Sequence, residues 1–409
     1  MLNKNNIREL AYVVTIDDIF PIEGADRVEQ AVVGGWHIMT RKGQFKPGDP
    51  AIYFEIDSKV PETEPFKFLE PKHYKVKTQK YFKGTVISQG LLMSAEDFGW
   101  HVVPKCEPLY STPYIVDDES HDHHIENESR FLTEKLGVKY AVDEDNVRKA
   151  ASADKYKKMA QRHGKLFSRQ PFRWLMKRNW GKKLLFVFFG KKRDKRGWPA
   201  WVQKTDEERV QNMPWILEDK NEWIATEKID GTSTTFTIKR GRGLKKDDFY
   251  ICSRNVVFDK PDKNCFYETN VYTEMAEKYH IKEVLTKLLK EYPDANWITI
   301  QGETYGAGIQ KRDYSMKNHD FMAFNLIMSH TGRWNTIHMT KELSKYNIPC
   351  VPVLDEHFIL PDTIEEILNY ATNKSIIDNG MREGVVFRSL DGSKSFKAVS
   401  NEFLLKYHS

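Results

Sequence analysis

Thr226-Glu227-Lys228-Ile229-Asp230-Gly231-Thr232-Ser233 is the stretch around which the chain is organised. Apolar residues lead into it (Trp223, Ile224, Ala225), a lysine follows with acids on both sides, and a turn comes next. Thr234 to Ile238 is rich in strong β-formers, which places Lys228 where one strand turns into the next. Gly231 can take a positive φ and lets a ligand approach the backbone. A lysine amine has an ordinary pKa of about 10.4. It becomes a nucleophile only when desolvation, a nearby cation or a metal favours its neutral form. The plain alternative is a β-hairpin with an exposed lysine, and the rest of the chain decides between the two.

At 409 residues, 30% charged and 40% hydrophobic, the chain reads as globular, with room for two domains and an insertion. No apolar run approaches the roughly 20 residues of a membrane span, so no membrane partner is expected. The polar N-terminus, Met1 to Glu9, resembles no signal peptide. Cys106, Cys252, Cys265 and Cys350 are scattered without a C-x-x-C pair, which argues against a zinc site and for a reducing, cytoplasmic setting. The net charge of +5 permits a polyanionic partner without requiring one.

Residues 1–103 alternate short strand-like runs with turns: Leu10 to Ile16, Val28 to Val33, Trp36 to Thr40, Ala51 to Ile56 and Gly84 to Met93. This spacing suggests a small OB-type β-barrel. Residues 104–197 form a polar then basic linker or insertion. His121, His123 and His124 sit there among acids, in a stretch that reads as a solvated loop rather than a metal cluster. Residues 155–196 carry sixteen Lys/Arg against one acid, with aromatics interleaved. That pattern suits nucleic-acid contact, or else a basic helical insertion whose aromatics dock on the main body. Residues 198–409 read as an α+β domain. A capped helix start is expected at Lys204 to Asn212, strands at 222–226, 233–239, 249–253, 297–303, 320–327 and 384–388, and helices over 272–291 and 362–374.

Polar residues recur at strand ends of this domain: Ser253-Arg254-Asn255, Gln301-Gly302-Glu303, Arg382-Glu383-Gly384 and Lys397 within Ser395 to Val399. A lysine nucleophile, two acids, an arginine and a second lysine suit attack on a nucleotide α-phosphate. Cations can stabilise the phosphoryl oxygens, and the acids can hold a hydrated divalent ion.

These residues resemble the covalent nucleotidyltransferase superfamily, and within it the ATP-dependent RNA ligases. Glu227-Lys228-Ile229-Asp230-Gly231 is similar to motif I and Ser253-Arg254-Asn255 to motif Ia. Gln301-Gly302-Glu303 with Gly306 to Gln310 is similar to motif III, and Phe321-Met322-Ala323-Phe324 to motif IIIa. Glu383-Gly384-Val385-Val386 is similar to motif IV and Ser395-Phe396-Lys397-Ala398 to motif V. The chain stops soon after motif V. Its β-rich domain comes first, and Pro21 to Arg27 and Tyr53 to Ser58 resemble the N-terminal OB domain of the family 5 RNA ligases. Motif V departs from many relatives, because Val399 stands where a second lysine is common.

The resemblance implies an OB-type barrel followed by an ATP-grasp-like antiparallel α+β adenylyltransferase domain at 198–409. It implies ATP and Mg²⁺ or Mn²⁺ as cofactors. It implies sealing of RNA 3′-hydroxyl and 5′-phosphate ends, in a nicked duplex, through lysyl-AMP on Lys228. Asp230, Glu303, Glu383 and Lys397 complete the catalytic set, with Glu303 and Glu383 holding the ion through water; Glu303 can instead hold the ribose. Glu227, Arg254, Arg209, Phe324 and Val385 bind the nucleotide, with Phe324 and Val385 as a sandwich for adenine. Two alternatives remain. Another covalent nucleotidyltransferase, a DNA ligase or capping guanylyltransferase, calls for a C-terminal domain that the sequence has no room for. A non-catalytic OB-type RNA-binding protein would have no use for Lys228, Glu303, Glu383 and Lys397 together.

Overall fold

The computed structural model describes residues 1–2, 7–103, 114–116, 130–141, 164–167, 169–189, 198–241, 243, 245–258 and 270–407. The three histidines of the polar segment lie outside them, as do Lys191, Lys192 and Arg193.

Alternation of buried and exposed residues builds the N-terminal sheets. In Trp36–Arg41, Trp36, Ile38 and Thr40 point inward and the residues between do not. Gly34 and Gly35 both have positive φ and join this strand to Val28–Val33 in a tight hairpin. The ladders are Asp18–Pro21 with these two strands, Ala11–Thr15 with Pro50–Phe54 and Leu91–Met93, and Gln79–Tyr81 with Val86–Ser88. This is an OB-like β-sheet domain; among the described residues the ladders do not join into one closed barrel. The run Gly84 to Met93, expected as one strand, is two, broken at Gln89-Gly90, where Gly90 lies under the Tyr53 ring.

The basic stretch contains the helices Gly164–Phe167, Gln170–Met176 and Asn179–Phe189. Among its described residues the aromatics pack on one another. Phe167 and Leu185 are buried against Phe172, Phe186 and Phe189, a small core of their own. Trp174, Trp180, Leu184, Val187 and Phe188 remain exposed.

The C-terminal domain is a mixed α+β unit with two antiparallel sheets. One is four-stranded, in the order Val353–Ile359, Glu222–Lys228, Gly384–Ser389, Ser395–Val399. The other is six-stranded, in the order Val257–Phe258, Asp248–Cys252, Thr232–Lys239, Trp297–Gly306, His319–Met328, Gly332–Arg333. Val271–Lys278 and Ile281–Glu291 cover the six-stranded sheet with Met275, Ile281, Leu285 and Leu288, all buried against Phe236, Ile300 and Phe321. The expected single helix over 272–291 is thus two, divided where His280 takes a φ of 47°. Ile364–Ala371 packs on the four-stranded sheet and opens with a reciprocal cap between Thr363 and Glu366. No helix of the described residues is long and apolar enough to cross a membrane.

Candidate active site

Trp223, Ile224 and Ala225 are wholly buried, which fixes the strand Glu222–Lys228 and leaves Lys228 at its end, a quarter exposed. The chain then leaves this sheet through Ile229-Asp230-Gly231 and enters the other at Thr232. The two strands do not pair, so the stretch is a crossing between sheets rather than a hairpin. Gly231 serves close approach and not a positive φ: a Cβ there would lie 2.3 Å from the Thr304 carbonyl oxygen.

Between the sheets lies a cavity of about 380 Å³. Lys228, Asp230, Glu303, Glu383, Lys397, Glu227, Arg254 and Phe324 all line it. Lys228 Nζ donates to Glu383 at 2.7 Å. Burial alone pulls the Lys228 amine down, but Glu383 and then Glu303 oppose it, and the net shift is upward. Glu303 is pushed up to about 8, by burial first and then by Glu383 and Asp230 against the pull of Lys228. Six carboxylates line the cavity against four cations, so acids outnumber bases there.

Two cations face these acids. Arg254 donates to Asp206 at 2.5 Å, and Lys397 Nζ lies 3.5 Å from the other oxygen of the same carboxylate. Burial and then Lys228 lower the Lys397 ammonium. Lys397 is held by its backbone, whose N–H donates to the Glu208 carbonyl at 2.7 Å. Lys394 is engaged elsewhere, with Asp219 at 2.5 Å, so it is no second basic group here.

Lys204 to Asn212 corrects the sequence reading. Only Val210–Asn212 turns, as one 3-10 turn, and Arg209 bridges in parallel to Lys397. The acids that look like a capped first turn are engaged in tertiary contacts. Asp206 meets Arg254 and Lys397, Glu207 accepts from buried Arg388 at 3.2 Å and from Ser395, and Glu208 binds Arg8 at 2.9 and 3.0 Å. These partners are 48 to 200 residues away in sequence, and no local pattern announces them.

Val385 is a second correction. It is fully buried among Trp223, Phe387 and Phe396, whereas Val386 lines the cavity with Arg388. Neighbouring residues of a strand face opposite sides, so only one of the two valines can reach a base. Phe324 does line the cavity, with the Arg388 guanidinium 5.8 Å from its ring centre. Glu227 is lodged rather than free: the Ser375 hydroxyl donates to it at 2.5 Å and the Ile376 N–H at 2.8 Å. Arg209 lies outside the cavity lining, over the Trp36 ring at 5.6 Å, and burial lowers it. Two contacts that position the crossing were missed in the sequence. Tyr314 Oη accepts from the Asp230 N–H at 2.7 Å, and the Gln310 amide donates to the Gly231 carbonyl at 2.8 Å.

The donor set fits one kind of divalent ion and not another. Among the described residues no three ligand-type side chains converge closely enough to cage a bare ion. Two carboxylates beside an excess of negative charge do fit a hydrated one, which keeps most of its waters.

A family model described as RNA ligase matches residues 221–408, and one described as an OB-fold domain matches residues 10–95. No curated protein matches. Among solved structures, a Naegleria gruberi RNA ligase with pyrophosphate is 26% identical, with a TM-score of 0.59 over 98% of this chain and 99% of that one. The same ligase as a variant with ATP and manganese gives 25%, a TM-score of 0.61 and coverage of 98% and 100%. Another variant, with AMP and manganese, gives 26%, 0.60, 98% and 99%. The two matched segments follow one another in the order seen here, and the solved ligases align over nearly their whole length. The chain is thus similar to the RNA ligases over residues 221–408, to an OB-fold domain over residues 10–95, and to a solved RNA ligase over nearly its whole length.

Proposed function

We propose that the protein seals RNA by passing one adenylyl group through Lys228, in the manner of the family 5 ligases. Lys228 Nζ attacks the α-phosphorus of ATP; a nitrogen–phosphorus bond forms, the bond to the bridging oxygen breaks, and pyrophosphate leaves. The 5′-phosphate of an RNA end then displaces the lysine and takes the AMP. A 3′-hydroxyl attacks that phosphate, closing the strand and releasing AMP. The observation that carries this reading is the Lys228 amine at 2.7 Å from Glu383, inside a cavity where Lys397 and Arg254 supply cations.

Glu383 and Glu303 hold the amine as ammonium, so a compensating cation is required before it can react. Glu383 and Glu303 would hold a hydrated Mg²⁺ or Mn²⁺, which when bound offsets the acidic field and lowers the amine pKa. Lys397 and Arg254 exchange Asp206 for phosphate oxygens. Those ion pairs are well exposed on the Asp206 side and contribute roughly 0–1 kcal/mol, so the exchange costs little. Phe324 stacks on adenine, with Val386 rather than Val385 opposite. Glu227, fixed by Ser375, presents its backbone to the base edge. Arg209 reaches the β- and γ-phosphates from the domain junction. The substrate is a nicked duplex with 3′-hydroxyl and 5′-phosphate ends, held where the OB domain meets the transferase domain, and the setting is cytoplasmic. We also read the N-terminal ladders as walls of an OB-type barrel, residues 104–197 as an insertion, and residues 198–409 as an ATP-grasp-like unit.

Incubation with α-labelled ATP and divalent metal, followed by denaturing gel, tests the reading. Wild type should carry label that a nicked RNA with a 5′-phosphate discharges into a sealed product. Absence of covalent label rejects it in favour of a binding protein; sealing of DNA alone rejects the RNA assignment.

A further inference from the structure

A second cavity, of about 540 Å³, opens beside the first. Lys80 faces it from the N-terminal domain, Lys311 from the loop after the strand Trp297–Gly306, and Leu404 and Tyr407 from the last helix, Asn401–Tyr407. Arg209 closes one side. Gln310 lines both cavities, and its amide holds the Gly231 carbonyl. The second cavity therefore begins at the turn that carries Lys228.

Three of its lining residues are cationic and none is acidic. Among the described residues neither Lys80 nor Lys311 has an ion-pair partner, and Lys80 Nζ donates only to the Leu405 carbonyl, at 2.7 Å. Burial and then Lys311 lower the Lys80 ammonium, as expected of like charges brought close. Arg209 also faces the cavity, but it is assigned above to the phosphates of ATP, which leaves Lys80 and Lys311 as the cations free for a second anion. Three separate segments thus converge positive charge on one space, an arrangement that an anion would stabilise.

We propose that this cavity holds backbone phosphates of the RNA beside the reacting end, with Lys80 and Lys311 as their contacts and the Tyr407 ring as a wall for ribose or base. The proposal rests on the RNA-ligase reading of the neighbouring site and adds the track by which the strand reaches it. Phosphate oxygens could also come from the tail of ATP. The lining argues for RNA: it shares only Gln310 with the cavity assigned to the nucleotide. Its location agrees, since Lys80 stands on the N-terminal domain and does not line the nucleotide cavity.

The test compares wild type with Lys311→Glu, whose side chain makes no hydrogen bond among the described residues, and with the double variant Lys80→Met/Lys311→Met. Three readouts are taken: covalent AMP labelling without RNA, sealing of a nicked RNA that already carries a 5′-adenylylated end, and RNA affinity against salt. Labelling should stay within about twofold of wild type. Sealing of the pre-adenylylated nick should fall at least tenfold, and the salt slope should flatten by about 0.9 for each phosphate no longer neutralised, the duplex-DNA value. Lys80→Arg/Lys311→Arg should restore sealing, which separates charge from a structural role of Lys80. Unchanged sealing, or an unchanged slope, overturns the proposal. A loss of labelling equal to the loss of sealing assigns the cavity to the ATP tail and overturns it too. Failure of wild type itself to label removes the ligase reading and this proposal with it.

Discussion

Lys228 and Glu383 meet at 2.7 Å where two antiparallel strands end together, Lys228 lying opposite Gly384 in the register. A Cβ at position 384 would sit 2.1 Å from the Ala398 carbonyl oxygen, so a glycine there lets the Lys397 strand come close on the other side. One backbone feature thus gathers the amine, its acid and the second lysine.

Removing the amine should end covalent labelling. Lys228→Ala and Lys228→Arg both fail, the second because a guanidinium stays charged. Lys228→Ala also strands Glu383 beside Glu303. Its melting temperature should drop more at pH 9 than at pH 7, because Glu303 ionises in the wild-type fold only above about 8, where Lys228 helps to hold its charge. Strong labelling of either variant, read on a denaturing gel, would sink the assignment.

Glu303 gives a pH signature. Its carboxyl titrates near 8 in the fold, against about 4.3 when unfolded. Between those values the folded state binds more protons than the unfolded one, so this group's stabilising contribution falls as pH rises through 8. Glu303→Gln cannot ionise. It should melt higher than wild type at pH 9 and gain little at pH 5, roughly 2–4 °C per kcal/mol recovered for a domain of about 200 residues. Calorimetry at both pH values checks the sign. Labelling by the same variant should fall by orders of magnitude, and a normal rate would place the ion elsewhere.

Glu207 holds Arg388, which is 4% exposed, at 3.2 Å and lies 3.7 Å from Arg333. Glu207→Ala leaves a buried guanidinium unpaired, at a cost of about 3–5 kcal/mol. Urea unfolding should show it as a lowered midpoint with an unchanged m-value. A destabilisation below about 1 kcal/mol would mean that water replaces the carboxylate.

Gly35 joins the domains by close approach. A Cβ there would lie 2.7 Å from Ile364 Cγ2 and 3.1 Å from Leu368 Cδ1. Gly35→Val, which also forces a β-branched residue to a φ of 76° in the hairpin, should weaken docking and slow sealing at least tenfold, with labelling less affected. Equal loss of both steps would show that docking also shapes the nucleotide site.

The helix Asn179–Phe189 carries Lys182, half-buried, and Lys183, exposed, close in sequence to exposed Trp180. If they touch RNA beyond the nick, Lys182→Ala/Lys183→Ala flattens the slope of log K against log salt and leaves labelling intact. Equal slopes reject that contact.

Much of the site was legible because its chemistry is local. Lys228 ends a strand, Glu383 precedes one, Asp230 lies in the crossing, and Glu303 and Lys397 lie within strands, where period-2 burial accounts for the apolar neighbours and leaves the charged residue unexplained. The strands themselves follow from the same period. Three features needed the tertiary structure. The run Lys204 to Asn212 has the composition of a capped helix, but its acids find Arg8, Arg254 and Arg388 across the fold, and paired charges hold the chain extended. Val385 and Val386 are chemically identical, and only the sheet register assigns one to the core and the other to the cavity. Lys80 and Lys311 lie far apart in the chain and attract no notice in sequence. They share a cavity because the N-terminal domain packs against the last helix, where Lys80 holds the Leu405 carbonyl. Spacing along one chain encodes what a strand or turn does by itself. Which charges face each other is decided by packing between segments that no local period connects.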